Sequence, residues 1–133
     1  MIFLDTSAIY ALADRADANH GRASRLLKAA LASGERLVTH NYVLVESMAL
    51  LRHRLGLASA LALADDARAF DVEWITPPIH DQAIAWLRTA GRRQVSLVDA
   101  ASFVVMRERG IEVALAFDPH FAEEGFRPVA VSS

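Results

Sequence analysis

Short apolar runs recur along this chain, each followed by residues whose apolar positions return at helical spacing, and this alternation leaves few architectures open. Met1 to Leu4 is the first run; it ends at Asp5 and feeds a helical pattern over Thr6 to Ala13. After a polar, turn-like stretch from Asp14 to Asn19, a helix is expected over Arg22 to Leu31, ended by Ser33-Gly34. Leu37 to Thr39 is the second strand. Asn41 is placed to cap a helix running to Leu55, and Leu57 to Phe70 is a second, alanine-rich helix, the two forming a hairpin at Gly56.

The third strand, Val72 to Ile75, is closed by Pro77-Pro78, with a helix from Ile79 to Ala90. Ser96 to Arg109 is the next helix, opened by a capping-box-like Ser-x-x-Asp and ended by Gly110. Ile111 to Phe117 and Pro128 to Val131 supply a fourth and a fifth strand. Strands alternating with helices predict an α/β fold whose mostly parallel sheet of four to five strands is covered on both faces.

Size and composition agree with one domain over residues 1–133, of which 53% are hydrophobic and 23% charged. A chain this long buries roughly two-thirds of the surface its unfolded form exposes, and so needs no staple. No apolar run approaches the ~20 residues of a membrane span. The start, Met-Ile-Phe-Leu-Asp, lacks the basic and apolar regions of a secretory signal, so the expected compartment is the cytoplasm. Absence of cysteine excludes disulfides, a thiol nucleophile and cysteine-containing zinc sites. The net charge of −2 is unlike that of proteins that hold nucleic acid by charge alone, so a polyanionic ligand would need a local attraction.

Four acidic residues are candidates for chemistry, although helix capping accounts well for each of the three aspartates taken alone. Asp5 and Asp118 each end a strand, and the carboxyl ends of strands are where open parallel sheets bind ligands. Asp99 closes the Ser96 capping signature, so capping and chemistry compete for it as they do for Asp5. Glu46 lies on a helix with apolar flanks and is expected to be at least partly buried, where an ionised carboxylate costs several kcal/mol unless compensated; the alternative is a pair with an arginine such as Arg52, or plain exposure at a groove edge. Gathered in one crevice, the four would repel one another and call for a divalent cation. With oxygen donors only, Mg²⁺ or Mn²⁺ is favoured over zinc, and phosphodiester hydrolysis is the natural reaction.

The remaining residues point nowhere else. The five histidines, His20, His40, His53, His80 and His120, are scattered and read as surface or capping residues. Glycine-rich phosphate loops and a nucleophile elbow are absent. Trp74 and Trp86 sit in apolar contexts that predict core positions. Of the thirteen arginines, Arg15, Arg22, Arg25, Arg92 and Arg93 are candidate phosphate contacts.

Asp5-Thr6-Ser7 after an N-terminal strand, Glu46 in the third helix, Ser96-Leu97-Val98-Asp99-Ala100 opening a later helix and Phe117-Asp118-Pro119-His120-Phe121 near the end together resemble the PIN domain, and more narrowly a VapC-type toxin. The resemblance spans the whole chain in order and length. It implies a three-layer α/β/α fold and a Mg²⁺- or Mn²⁺-dependent endoribonuclease acting on single-stranded or loop RNA. It also implies a homodimer and a cognate antitoxin whose tail fills the active-site groove. Carried over by motif, Asp5, Glu46, Asp99 and Asp118 match the acidic quartet. Asp5, Asp99 and Asp118 would hold the metal, and Glu46 would orient or deprotonate the attacking water. Thr6 or Ser7 and Ser96 match the family's hydroxyl positions.

Two other readings share these residues. A PIN-type RNA-processing nuclease without an antitoxin would have the same catalytic constellation. A non-catalytic module would use the acidic crevice to bind a basic peptide; a complete quartet argues against it.

Overall fold

In the computed structural model, residues 1–91 and 94–130 are described. Of the residues singled out above, Arg92, Arg93 and Val131 lie outside them. The elements run β1 (Ile2–Leu4), α1 (Thr6–Ala13), α2 (His20–Ala32), β2 (Leu37–His40), α3 (Asn41–Leu55), α4 (Leu57–Asp66), β3 (Asp71–Glu73), α5 (Pro77–Ala90), α6 (Leu97–Arg109), β4 (Val113–Leu115), α7 (His120–Glu123) and β5 (Arg127–Pro128). A single 3₁₀ turn, Ala67–Ala69, follows α4.

The five strands form one sheet in the order β3-β2-β1-β4-β5, and every neighbouring pair is parallel. Ile2 stands opposite both Leu37 and Val113, which makes β1 the central strand. β1 and β2 are buried along their whole length, which is why β1 reads as a continuous apolar run, while β2 ends in the buried polar residues Thr39 and His40. Parallel neighbours need crossover helices, and right-handed crossovers place α1 to α4 over one face and α5 to α7 over the other. The packing agrees: α1 rests on α2 and α3, α3 on α4, and α5 on α6. The second helical layer is centred on Phe103 of α6, whose ring lies 5.4 Å from Trp86 and 5.2 Å from Phe121. α6 is buried without interruption from Asp99 to Met106.

Three local expectations are corrected. Pro77 and Pro78 do not close β3; they form the first turn of α5, whose N-cap is Thr76. Proline suits that turn because its missing N–H would have no helical partner there. α3 is capped by His40, whose Nδ1 accepts from Val43 N at 3.2 Å, while Asn41 accepts from Ile75 N at 2.6 Å and ties β3 to the start of α3. Trp74 is 72% exposed and outside the core. It follows the end of a three-residue edge strand, where no further strand covers it. Among the described residues no helix is long and apolar enough to cross a membrane.

Candidate active site

The chain leaves β1 towards β2 and β3 on one side of the sheet, and later fills β4 and β5 on the other. Strand order therefore reverses between β1 and β4, and the crevice at their carboxyl ends is the position where such sheets bind ligands. Asp5 directly follows β1, and Asp118 follows β4.

Asp5 caps α1. Its Oδ2 accepts from Ser7 N at 3.2 Å and from Ser7 Oγ at 2.7 Å, and Ser7 Oγ accepts from Phe117 N at 2.9 Å. This chain of hydrogen bonds clamps the end of β1 to the segment after β4. Asp5 is almost wholly buried, and burial pushes its carboxyl up to about 7, with the carboxylates of Asp99 and Asp118 adding to the rise and the Ser7 hydrogen bonds opposing it.

Asp99 completes the capping box foreseen from Ser-x-x-Asp. Ser96 Oγ accepts from Asp99 N at 3.1 Å, and Asp99 Oδ2 accepts from Ser96 N at 3.3 Å. The cap occupies one carboxylate oxygen and leaves Oδ1 for other work. Burial raises the Asp99 carboxyl above the usual range, and Asp118 and Glu46 push it further. All four acids of the quartet are therefore coupled through Asp99 and Asp5.

Glu46 is exposed, against the expectation that it would be partly buried. α3 buries Val43, Ser47 and Leu51, one residue from every turn, and its apolar flanks remain largely at the surface. Glu46 is adjacent in sequence to the buried stripe, where its carboxylate is open to solvent and close enough to repel Asp99. Thr6 is buried, and its Oγ1 has no hydrogen-bond partner among the described residues.

The residue that the pattern of motifs missed is His120. One of its ring nitrogens and a carboxylate oxygen from each of Asp99 and Asp118 all lie within 4.8 Å of one another; Asp5 is not part of this tightest set. Asp118 Oδ1 accepts from His120 N at 2.7 Å, an Asx turn that opens α7 and turns the imidazole inward. The His120 side chain is only 12% exposed. Its spacing from Asp118 was the available signal, obscured because a lone histidine near a turn is ordinarily a surface residue. His40 is also buried, but as a cap in the core.

The donor set fits a divalent cation. Buried carboxylates with raised affinity for protons are carboxylates short of positive charge, and Thr6 Oγ1 and His120 Nδ1 add buried polar atoms with no hydrogen-bond partner among the described residues. Arg22 sets its guanidinium 5.5 Å from the ring centre of Phe117, the neighbour of Asp118. Arg15 and Arg25 are exposed on the surface.

Residues 2–126 match the PIN domain. The chain is 41% identical over 128 residues to the 23S rRNA-specific endonuclease VapC20 of Mycobacterium tuberculosis, covering 95% of both proteins. It is similar in structure to M. tuberculosis VapC20, described as a sarcin-ricin loop cleaving toxin, with a TM-score of 0.86 at 40% identity over 95% of this chain and 96% of that one. It shares its fold with PAE2754 from Pyrobaculum aerophilum, at a TM-score of 0.65 and 22% identity over 96% of this chain and 88% of that one.

Proposed function

This chain belongs to the PIN-domain family, and from that membership we propose that it is a ribonuclease toxin, a single-domain endoribonuclease that uses Mg²⁺ or Mn²⁺ to cut the sarcin-ricin loop of 23S rRNA. The observation that carries this reading is the coupled acidic cluster at the sheet's switch point, in a chain 41% identical to an rRNA endonuclease along nearly its full length.

In this reading Asp99 and Asp118 hold the cation, with Asp5 completing the acidic wall behind them. A divalent ion bound there supplies Lewis-acid stabilisation of the charge that develops on the phosphoryl oxygens. The protein's own contribution is arrangement. The Ser7 bridge fixes the Asp5 carboxylate against the segment carrying Asp118, and the Ser96 cap fixes Asp99 through Oδ2. Glu46, the exposed member of the quartet, orients water and accepts a proton at its carboxylate for in-line attack on the phosphodiester. Arg22 serves as a phosphate contact on the rim, which supplies locally the attraction that a net charge of −2 does not.

A cognate antitoxin and a homodimer complete the proposal, with the cytoplasm as the compartment. A protein partner is supported by a groove of about 1160 Å³ on the α1–α4 face, where apolar residues such as Leu12, Leu27, Leu31 and Phe70 are accompanied by charged ones, Asp66 and Arg68 among them.

The test is cleavage of 23S rRNA, and of a stem-loop carrying the sarcin-ricin sequence, by antitoxin-free protein with Mg²⁺ or Mn²⁺. One discrete cut, absent with EDTA and with Asp99→Asn, is expected. Inertness of the wild type on both substrates with either metal would overturn the proposal.

A further inference from the structure

We propose that His120 is a nitrogen ligand of the cation held by Asp99 and Asp118, and that this mixed set makes the site prefer Mn²⁺ to Mg²⁺. The inference rests on the reading of the acidic cluster as a cation site and goes beyond the acidic quartet that the sequence motifs assign.

Three observations carry it. The His120 ring presents a nitrogen to the two carboxylates, the three ligand atoms lying within 4.8 Å of one another, a spread that a single ion can span. The ring is held there by backbone: Asp118 Oδ1 accepts from His120 N at 2.7 Å, so the residue that offers a carboxylate also fixes where the imidazole begins. Finally, Nδ1 is buried without a hydrogen bond among the described residues, with Glu123 Oε2 3.8 Å away and thus beyond hydrogen-bond reach. An imidazole placed only for packing would be expected to pair its buried nitrogen, since leaving one unpaired costs about 1–3 kcal/mol.

The selectivity follows from ligand chemistry. Mg²⁺ takes hard oxygen donors and gives up its water reluctantly, so an imidazole adds little to its binding. First-row transition ions gain from a nitrogen donor, and of the two ions suited to this acidic site Mn²⁺ is the one that does.

The experiment is pulsed EPR of Mn²⁺ added to the purified full-length chain, with Mn²⁺ and Mg²⁺ affinities measured in parallel by titration and competition. A ¹⁴N coupling to bound Mn²⁺ is expected in the wild type and should vanish in His120→Asn. In that variant Mn²⁺ affinity should fall about tenfold or more, the usual scale for losing a supporting metal contact, while Mg²⁺ affinity changes by less than about threefold. His120→Asp should recover ion binding without the nitrogen coupling and without the preference for Mn²⁺. Bound Mn²⁺ with no nitrogen coupling, or a coupling that survives His120→Asn, would overturn the proposal and leave the cation site standing. Failure of the wild type to bind Mn²⁺ at all would overturn both. Absence of the coupling in the wild type overturns the proposal even if a variant fails to fold, and should His120→Asn fail to fold, His120→Gln carries the same comparison.

Discussion

At the scale of single residues, capping and chemistry turn out to be done by the same side chains. Asp5 and Asp99 each spend Oδ2 on a helix cap, and each stands in the acidic cluster. Asparagine caps about as well as aspartate. Asp99→Asn should therefore keep the wild-type melting temperature without metal while losing the Mn²⁺-induced rise and at least about a hundredfold in cleavage rate. Asp99→Ala, which removes the cap too, should cost about 1 kcal/mol more in stability. A large loss of stability in Asp99→Asn, read by thermal melting in EDTA, would count against this division of labour.

Asp5 adds a pH dependence whose sign can be worked out. Its folded-state value of about 7 lies above the unfolded value of 3.8, so between these limits the folded protein binds more protons than the unfolded one. Stability without metal should fall as pH rises from 4 to 7, by on the order of a few kcal/mol. His40 works the other way: burial pushes it down from 6.5 to about 4, so its contribution is lost as pH falls through that window. The two slopes oppose each other in the wild type. Asp5→Asn removes the Asp5 slope, so the variant gains on the wild type progressively from pH 4 to 7. Parallel curves from denaturant titrations in EDTA would refute the assignment.

At the scale of elements, the site is held by short polar links between otherwise apolar pieces. His40 Nδ1 accepts from Val43 N, which leaves the proton on Nε2 to donate to Ser102 Oγ at 2.8 Å; Ser102 Oγ in turn donates to Val98 O at 2.8 Å. This connects the start of α3, which carries Glu46, to α6, which carries Asp99. Ser102→Ala should remove the hydroxyl that links the imidazole to α6 and cost about 1 kcal/mol in chemical denaturation, the net worth of a typical hydrogen bond. Ser7 plays the corresponding part between α1 and the segment after β4, since its hydroxyl sits between the Asp5 carboxylate and Phe117 N.

For the whole molecule, the proposed function asks a chain of small negative net charge with an acidic crevice to attract RNA through a bound cation and a few arginines rather than through a basic surface. The nucleophile in this scheme is water oriented by Glu46, so the RNA 2′-hydroxyl takes no part in the displacement. A stem-loop substituted with 2′-deoxy at the cleaved nucleotide should be cut within about tenfold of the all-RNA rate. Abolition of cleavage, judged by gel mapping of end-labelled substrate, would point to the 2′-oxygen as nucleophile instead.

The order of strands and helices was legible in the chain because the period of its apolar residues changes with each element, and Thr6–Ala13 and Leu37–Thr39 fall where that period places them. Ser96 and Asp99 were legible as a cap for the same reason: their hydrogen bonds span three residues and need nothing distant. What periodicity could not reach were relations between segments far apart in sequence. Glu46 is exposed because of what α3 packs against, and Trp74 because β3 lies at the sheet's edge. His120 joins Asp99 only once β4 has been laid beside β1. Local hydrogen bonding and hydrophobic spacing act over a few residues and are written in the sequence. The meeting of Asp5, Asp99, Asp118 and His120 in one crevice depends on strand order, which only the packed sheet decides.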